Sequence, residues 1–183
     1  DETLQTLVDI VRAGKALYIG ISRWPLDALK YANDFLHKQG VPPLIFQGRL
    51  NLLDRAVQEE GVPAYCKEQG IGFISFSALA QGLLTSRYLG GIPGDSRMAR
   101  GGSLQQEKLS PELLEYLNTL NRIAVERGEP LATMSLAWVL AQEGVTSVLV
   151  GARTPEQFAE SLRCIEVSQE ICKELPLYPH KVF

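Results

Sequence analysis

The sequence predicts an α/β fold built on a parallel sheet. Short apolar runs that resemble strands alternate with segments of helical period, as one helix and then four strand–helix units, with an extra helix before the last strand. The strand runs are apolar throughout, which is typical of parallel strands covered on both faces. A doubly wound sheet and a (β/α)8 barrel both fit this order. No G-x-G-x-x-G motif follows any strand, which disfavours the doubly wound sheet.

Helices are predicted for six segments by apolar spacing and by signals at their ends. The first predicted helix places its leucine and valine side chains on one face and ends before Gly14. Pro111 and Pro155 stand at the first position of two later helices, where a missing N–H is tolerated, and Thr154 is the expected cap of the last one. The predicted helices are 3–11, 26–39, 62–69, 111–127, 131–142 and 155–165.

Strands are predicted for four short apolar runs, each followed by turn or helix signals. They are 16–21, 43–47, 71–76 and 146–150. Their inner face is expected to carry Ile19, either Ile45 or Phe46, and Ile74 or its neighbours.

Composition excludes several classes of function. A net charge of −3 gives no basic footprint for nucleic acid, and no apolar run approaches the length of a membrane span. The three cysteines show no C-x-x-C spacing, which favours a reducing, cytoplasmic location. With only two histidines, no metal site is expected.

Small and polar residues follow the predicted strands, namely Ser22, Gln47, Ser77 and Gly151. Because both candidate architectures bind ligands at the carboxyl ends of their strands, a site is expected at this edge. The third strand leads into a long glycine-rich loop with two arginines, and small residues, hydroxyls and guanidinium groups are the groups that hold phosphate.

Five stretches in order resemble the C-terminal half of the aldo-keto reductase family. They are "GKALYIGISRW", "FQGRLNLLDR", "FISFSALAQGLLTSRY", "GIPGDSR" and "SVLVGARTPEQFAES". The resemblance is nearest to the branch of bacterial glyceraldehyde-3-phosphate reductases and potassium-channel β subunits. It implies that the four strands are strands five to eight of a (β/α)8 TIM barrel. Residues 1–183 would then be a partial reductase domain, a fragment that lacks the first half of the barrel.

The resemblance also implies an NADP site whose nicotinamide end lies at the first three strand ends. Ser22 and Gln47 match the residues that bind the nicotinamide carboxamide, and they can supply a donor and an acceptor. Phe76 matches the aromatic residue that stacks on the nicotinamide ring. Arg23 belongs to an "SRW" sequence shared with the channel subunits, in which it lies beside the cofactor.

The loop after the third strand matches the family segment that follows the pyrophosphate. Ala78 replaces a usual proline. Arg87 stands where lysine is usual, so a planar, forked guanidinium replaces the compact charge of an ammonium group. The residues implied here as cofactor contacts are Ser77, Ala78, Leu79, Ala80, Gln81, Arg87 and Arg97.

The last strand–helix unit matches the family's adenine and 2′-phosphate site, and this favours NADP over NAD. The helix start attracts anions, and Arg153 adds positive charge. The implied contacts are Gly151, Arg153, Gln157, Glu160 and Ser161. Arg153 and Ser161 depart from the residues usual in the family, and the shorter side chain at 161 is expected to hold the adenine less firmly.

The family's catalytic Asp, Tyr, Lys and His lie in the first half of the barrel, so no catalytic residue is assigned. The chain is expected to be the cofactor-binding half of an enzyme that reduces aldehydes and ketones to alcohols, and to be inactive alone. An NADP-sensing regulatory protein like the channel subunits, and a non-functional fragment, are the alternatives. The expected partners are a small carbonyl substrate in the full-length protein, no nucleic acid or membrane, and a second copy through the open barrel edges.

Overall fold

The computed structural model describes residues 1–94, 96, 98, 99, 101, 104, 108–167, 175–179 and 182. All six predicted helical segments are present, with ends that differ by a few residues, and a short helix after the second strand was not predicted. The helices are α1 (Glu2–Arg12), α2 (Leu26–Lys38), α3 (Ala56–Glu59), α4 (Val62–Gln69), α5 (Pro111–Glu126), α6 (Leu131–Leu140) and α7 (Pro155–Leu162).

Four strands form one parallel sheet in the order in which they occur along the chain. They are β1 (Ile19–Ser22), β2 (Pro43–Arg49), β3 (Gly72–Phe76) and β4 (Val145–Val148). Each strand is added on the same side of the one before it. When every crossover is right-handed, this order places all the connecting helices on the same face of the sheet. A doubly wound sheet reverses its strand order at a switch point, and the described sheet has no such reversal.

The predicted fold class is wrong as stated. The described residues form an open four-stranded sheet with free edges at β1 and β4. This sheet does not identify its strands as strands five to eight of a closed barrel. The physical reason is that successive strand–helix units repeat the same local pattern. Periodicity and turn signals therefore identify each unit, but they do not give its position in a larger sheet.

The helices cover only one face of the sheet, although uniformly apolar strands predicted two covered faces. Burial alternates along β1 and β3. Ile19 and Phe46 are buried under the helices, and Phe46 stacks on Phe73 with ring centroids 5.9 Å apart. Ile45 and Ile74 alternate with these residues and lie half-buried on the opposite face, called here the open face.

Two later helices close the core and have clear sequence causes. Ser110 caps α5, since its hydroxyl accepts a hydrogen bond from the Leu113 N–H at 3.1 Å. Helix α6 is almost entirely apolar, and its residues Leu131 to Val139 are all buried, as expected for a helix surrounded by protein. None of the described helices combines the length and apolarity that a membrane crossing requires.

Candidate functional site

The end of β1 is joined to β2 through the carbonyl group of Gln47. Ser22 and Gln47 are register partners, and the Ser22 Oγ donates a hydrogen bond to the Gln47 carbonyl oxygen at 3.2 Å. The backbone N–H of Arg23 donates to the same oxygen at 3.0 Å. The two residues implied for the carboxamide end are therefore neighbours on the open face, with Ser22 exposed and Gln47 half-buried.

Backbone strain is concentrated among the predicted site residues. In the described part of the chain, four non-glycine residues have positive φ: Arg23 at 61°, Ser77 at 55°, Ala80 at 48° and Gln81 at 59°. Each lies just after β1 or β3, and each is a predicted cofactor contact. Such conformations cost on the order of 1–3 kcal/mol each and cluster at ligand sites, so this strain points to a function at the carboxyl edge.

A buried asparagine holds the strained turn after β3, and the sequence analysis missed it. The Asn51 Nδ2 donates to the Ser77 carbonyl oxygen at 2.9 Å, while the Asn51 Oδ1 accepts the Leu53 N–H at 2.8 Å. The side chain is fully buried. A single polar residue inside the apolar run "LNLL" is the signal that could have identified it.

Arg49 and Phe76 form the second feature that the sequence analysis missed. They are register partners at the ends of β2 and β3, and the Arg49 Cζ lies 5.7 Å from the centroid of the Phe76 ring. The Arg49 Nη1 also lies 3.5 Å from the Asp54 Oδ2. Residues two apart on a strand point to the same face, so the position of Gln47 could have indicated that Arg49 also lies on the open face.

The loop after β3 is packed close to the protein core. Ala78 and Ala80 are buried and Leu79 is half-buried, so the two alanines expose almost no surface. Arg87 is half-buried in a short 3₁₀ turn, where its N–H donates to the Thr85 Oγ1 at 3.2 Å. The predicted contact Arg97 lies outside the described residues.

Helix α7 begins with a network of capping bonds. The Thr154 Oγ1 accepts the Gln157 N–H at 3.3 Å, and the Gln157 Oε1 accepts the Arg153 N–H at 2.9 Å. Arg153, two residues after Gly151, and Gln157 both have exposed side chains. This geometry fixes the turn between β4 and α7 and leaves the helix start open to solvent.

The last two predicted contacts lie at the far end of α7. Glu160 is exposed, and its carbonyl oxygen accepts a hydrogen bond from the Thr133 Oγ1 at 3.1 Å. Ser161 is buried, and its Oγ donates to the Gln157 carbonyl oxygen at 2.9 Å. The proton of its hydroxyl is therefore used within the helix, and the predicted contact with adenine stays a prediction.

The described cavities lie away from these residues. One of about 110 Å³ lies between the start of α3 and the segment 178–179, and another of about 270 Å³ lies between α5 and the segment 176–179. None of the predicted contacts lines either cavity. The candidate site is therefore described by the residues along the carboxyl edge of the sheet and not by either of these two cavities.

The described residues show neither a tyrosine acid nor a metal centre at this edge. Tyr31, Tyr65 and Tyr116 lie on helices, and burial raises the pKa of Tyr116, whose hydroxyl donates to the Pro176 carbonyl oxygen at 2.8 Å. No group of three or more His, Cys, Asp or Glu that could hold a metal occurs within the described ranges.

Comparison with known proteins identifies the family. A profile of the Aldo/keto reductase family matches residues 1–175. The chain belongs to the aldo/keto reductase family. This chain is 43% identical over 169 residues to an L-glyceraldehyde 3-phosphate reductase of Escherichia coli O157:H7, covering 90% of the chain and 49% of the relative. It is 33% identical over 172 residues to a probable voltage-gated potassium channel subunit beta of Oryza sativa subsp. japonica, covering 91% and 52%.

The fold likeness extends to a crystal structure of a thermostable aldo-keto reductase bound to the inhibitor epalrestat. The TM-score is 0.66 at 23% identity, and the match covers 96% of this chain and 54% of that one. The chain therefore spans about half the length of the relatives it matches. The suspected family and branch are confirmed.

The family match also bears on the numbering of the strands. It covers residues 1–175 of this chain. The assignment of the sheet to strands five to eight is not retained for this reason. What stands is a four-stranded parallel sheet of the aldo/keto reductase family.

Proposed function

We propose that the carboxyl edge of this sheet binds NADP(H) for a cytoplasmic reductase that converts aldehydes or ketones to alcohols. The observation that carries the proposal is the clustering of strain, because the four strained non-glycine residues are all candidate cofactor contacts. Strain of this kind persists only where the surrounding structure enforces it, and it clusters at ligand sites. A relative named for glyceraldehyde 3-phosphate supports small aldehydes as the substrate class.

The residues present suit the two ends of the cofactor. Ser22 supplies a hydroxyl and Gln47 an amide, which together can donate to and accept from a carboxamide. Arg153 and the start of α7 offer positive charge for a phosphate on the adenosine ribose. The bound cofactor would supply the hydride, while these residues bind and orient it.

The proposal includes inactivity of this chain alone. Proton transfer to a carbonyl needs a positioned acid. Three of the described tyrosines lie on helices, and the others are Tyr18 before β1, Tyr88 in a buried turn and Tyr178. We expect no measurable loss of NADPH absorbance with glyceraldehyde or methylglyoxal. Turnover of about 1 per second or more, ordinary for enzymes, would contradict this part of the proposal.

Cofactor choice tests the binding proposal. Titration of the chain with NADPH and NADH, followed by fluorescence, should give tighter binding of NADPH. Arg153→Gln should weaken NADPH binding by about ten-fold, the scale of one charge-assisted contact, and leave NADH unchanged. Arg163→Gln, beyond the end of α7, is the matched control. Equal weakening by both variants, or no binding of either cofactor, would overturn the proposal.

A regulatory role is the second candidate, and the resemblance to a channel β subunit favours it. A sensor would bind NADPH without rapid turnover. Because the chain alone is expected to be inactive in either case, the comparison requires a protein that carries the complete family domain. Rapid carbonyl reduction by that protein would favour the enzyme, whereas tight NADPH binding with slow turnover would favour the sensor.

A further inference from the structure

Arg49 places a positive charge against the ring that is the candidate nicotinamide platform. Its Cζ lies 5.7 Å from the Phe76 centroid, which is within the range of a cation–π contact. Both residues lie on the open face, which also carries Ser22, at the end of β1, and Gln47, two residues before the end of β2. A ring that stacked on Phe76 and reached Gln47 would lie close to the guanidinium.

The guanidinium is held in place by its surroundings. The Asp54 Oδ2 lies 3.5 Å from the Arg49 Nη1, and the Asp54 Oδ1 accepts the Ala56 N–H at 3.3 Å. The Arg49 side chain is 30% exposed and that of Asp54 is 12% exposed. Partial burial weakens solvent screening, so a charge fixed here acts on a neighbouring ligand more strongly than a free surface arginine does.

We propose that Arg49 makes this site select the reduced cofactor over the oxidised one. The inference rests on the proposed NADP(H) site. The nicotinamide ring of NADP⁺ carries a positive charge, whereas that of NADPH is neutral, so a fixed guanidinium nearby repels only the oxidised ring. Asp54 offsets part of this repulsion, but the guanidinium is the group that lies over Phe76.

The test measures the dissociation constants of NADPH, by fluorescence, and of NADP⁺, by calorimetry. In the wild-type chain NADP⁺ should bind more weakly than NADPH. Arg49→Gln should reduce the ratio of the two constants by about five-fold, the effect of losing one partly screened charge beside the ring site. Arg49→Lys keeps the charge and should preserve most of the preference. Arg12→Gln removes the same charge from α1 and should leave the ratio unchanged.

Each result separates the inference from the function on which it rests. Binding of both cofactors with the same ratio in wild type and Arg49→Gln overturns the role of Arg49 and leaves the NADP(H) site intact. Failure of the wild-type chain to bind either cofactor overturns both. An equal change of the ratio in Arg12→Gln also overturns the inference, because it would report net charge and not the charge at Phe76. Circular dichroism confirms that each variant is folded.

Discussion

Gly144 lies directly against the backbone of Pro63. A β-carbon at position 144 would lie 2.6 Å from the Pro63 carbonyl carbon and closer still to its oxygen, and the glycine has φ +83°. The contact joins the turn before β4 to the first residues of α4. Only glycine suits it, because both the close approach and the left-handed conformation exclude a side chain.

Gly144→Ala is therefore expected to destabilise the fold by about 2–4 kcal/mol, from backbone strain and a clash that backbone atoms cannot relieve. Urea unfolding measures the change. Gly90→Ala is the matched control, since a β-carbon there meets nothing within 4 Å, and it should change stability by less than about 0.5 kcal/mol. Similar losses in both variants would contradict the packing argument.

Two hydroxyls on α6 are expected to respond in opposite directions. Among the described residues the buried Ser135 Oγ has no hydrogen-bond partner, so Ser135→Ala should raise the free energy of unfolding by about 1 kcal/mol. The Thr133 Oγ1 donates to the Glu160 carbonyl oxygen at 3.1 Å. Thr133→Val keeps the shape and loses that bond, so it should cost about 1–2 kcal/mol. Destabilisation by Ser135→Ala would show that its hydroxyl is bonded in solution.

Cys66 gives the fold a dependence on alkaline pH. Burial raises the pKa of its thiol from 9.0 to about 11. An unfolded chain loses this proton near pH 9, whereas the folded chain keeps it until about pH 11. The stabilisation from the buried neutral thiol is thus complete below pH 9 and is lost as the pH rises to 11, by about 3 kcal/mol. Unfolding of wild type and Cys66→Val at pH 8 and pH 11 measures it, and equal losses would contradict the assignment.

The parts of this fold that are set locally could be predicted from the sequence. Ser110 with Pro111, and Thr154 with Pro155, mark helix starts that the structure confirms, with both hydroxyls accepting the expected N–H. Such signals act within one turn of chain, so one sequence is enough to read them. The strand positions were also close, since each apolar run is short and bounded.

Long-range properties could not be predicted in the same way. The uniform apolarity of the strands suggested two covered faces, but Ile45 on β2 and Ile74 on β3 lie on the open face, and apolar composition does not say what covers it. Arg49 and Asn51 were missed because their roles depend on partners brought together by folding, at Phe76 and Ser77. The predicted contacts along the strand ends stay predictions, although Ser22 and Gln47 do meet.

Self-association through the sheet edges also stays a prediction. Tyr18 and Leu17 are exposed before β1, and Leu149 is half exposed after β4, so both edges carry apolar side chains beside unpaired strand groups. Sedimentation should show concentration-dependent association that Tyr18→Lys reduces. Val125→Lys, on an exposed position of α5, is the control and should have no effect. A monomer at all concentrations would contradict the prediction.

The location of bound cofactor tests the central claim most directly, and hydrogen exchange with and without NADPH measures it. We predict slower amide exchange in the segments 22–24, 47–50, 76–82 and 151–157. These segments lie at the carboxyl ends of the four strands, along one edge of the sheet. Arg23, Ser77 and Gln81 lie within these segments, where the backbone is strained. Protection confined to the segments 53–59 and 176–179, which border the described cavities, or no protection at saturating NADPH, would contradict the account.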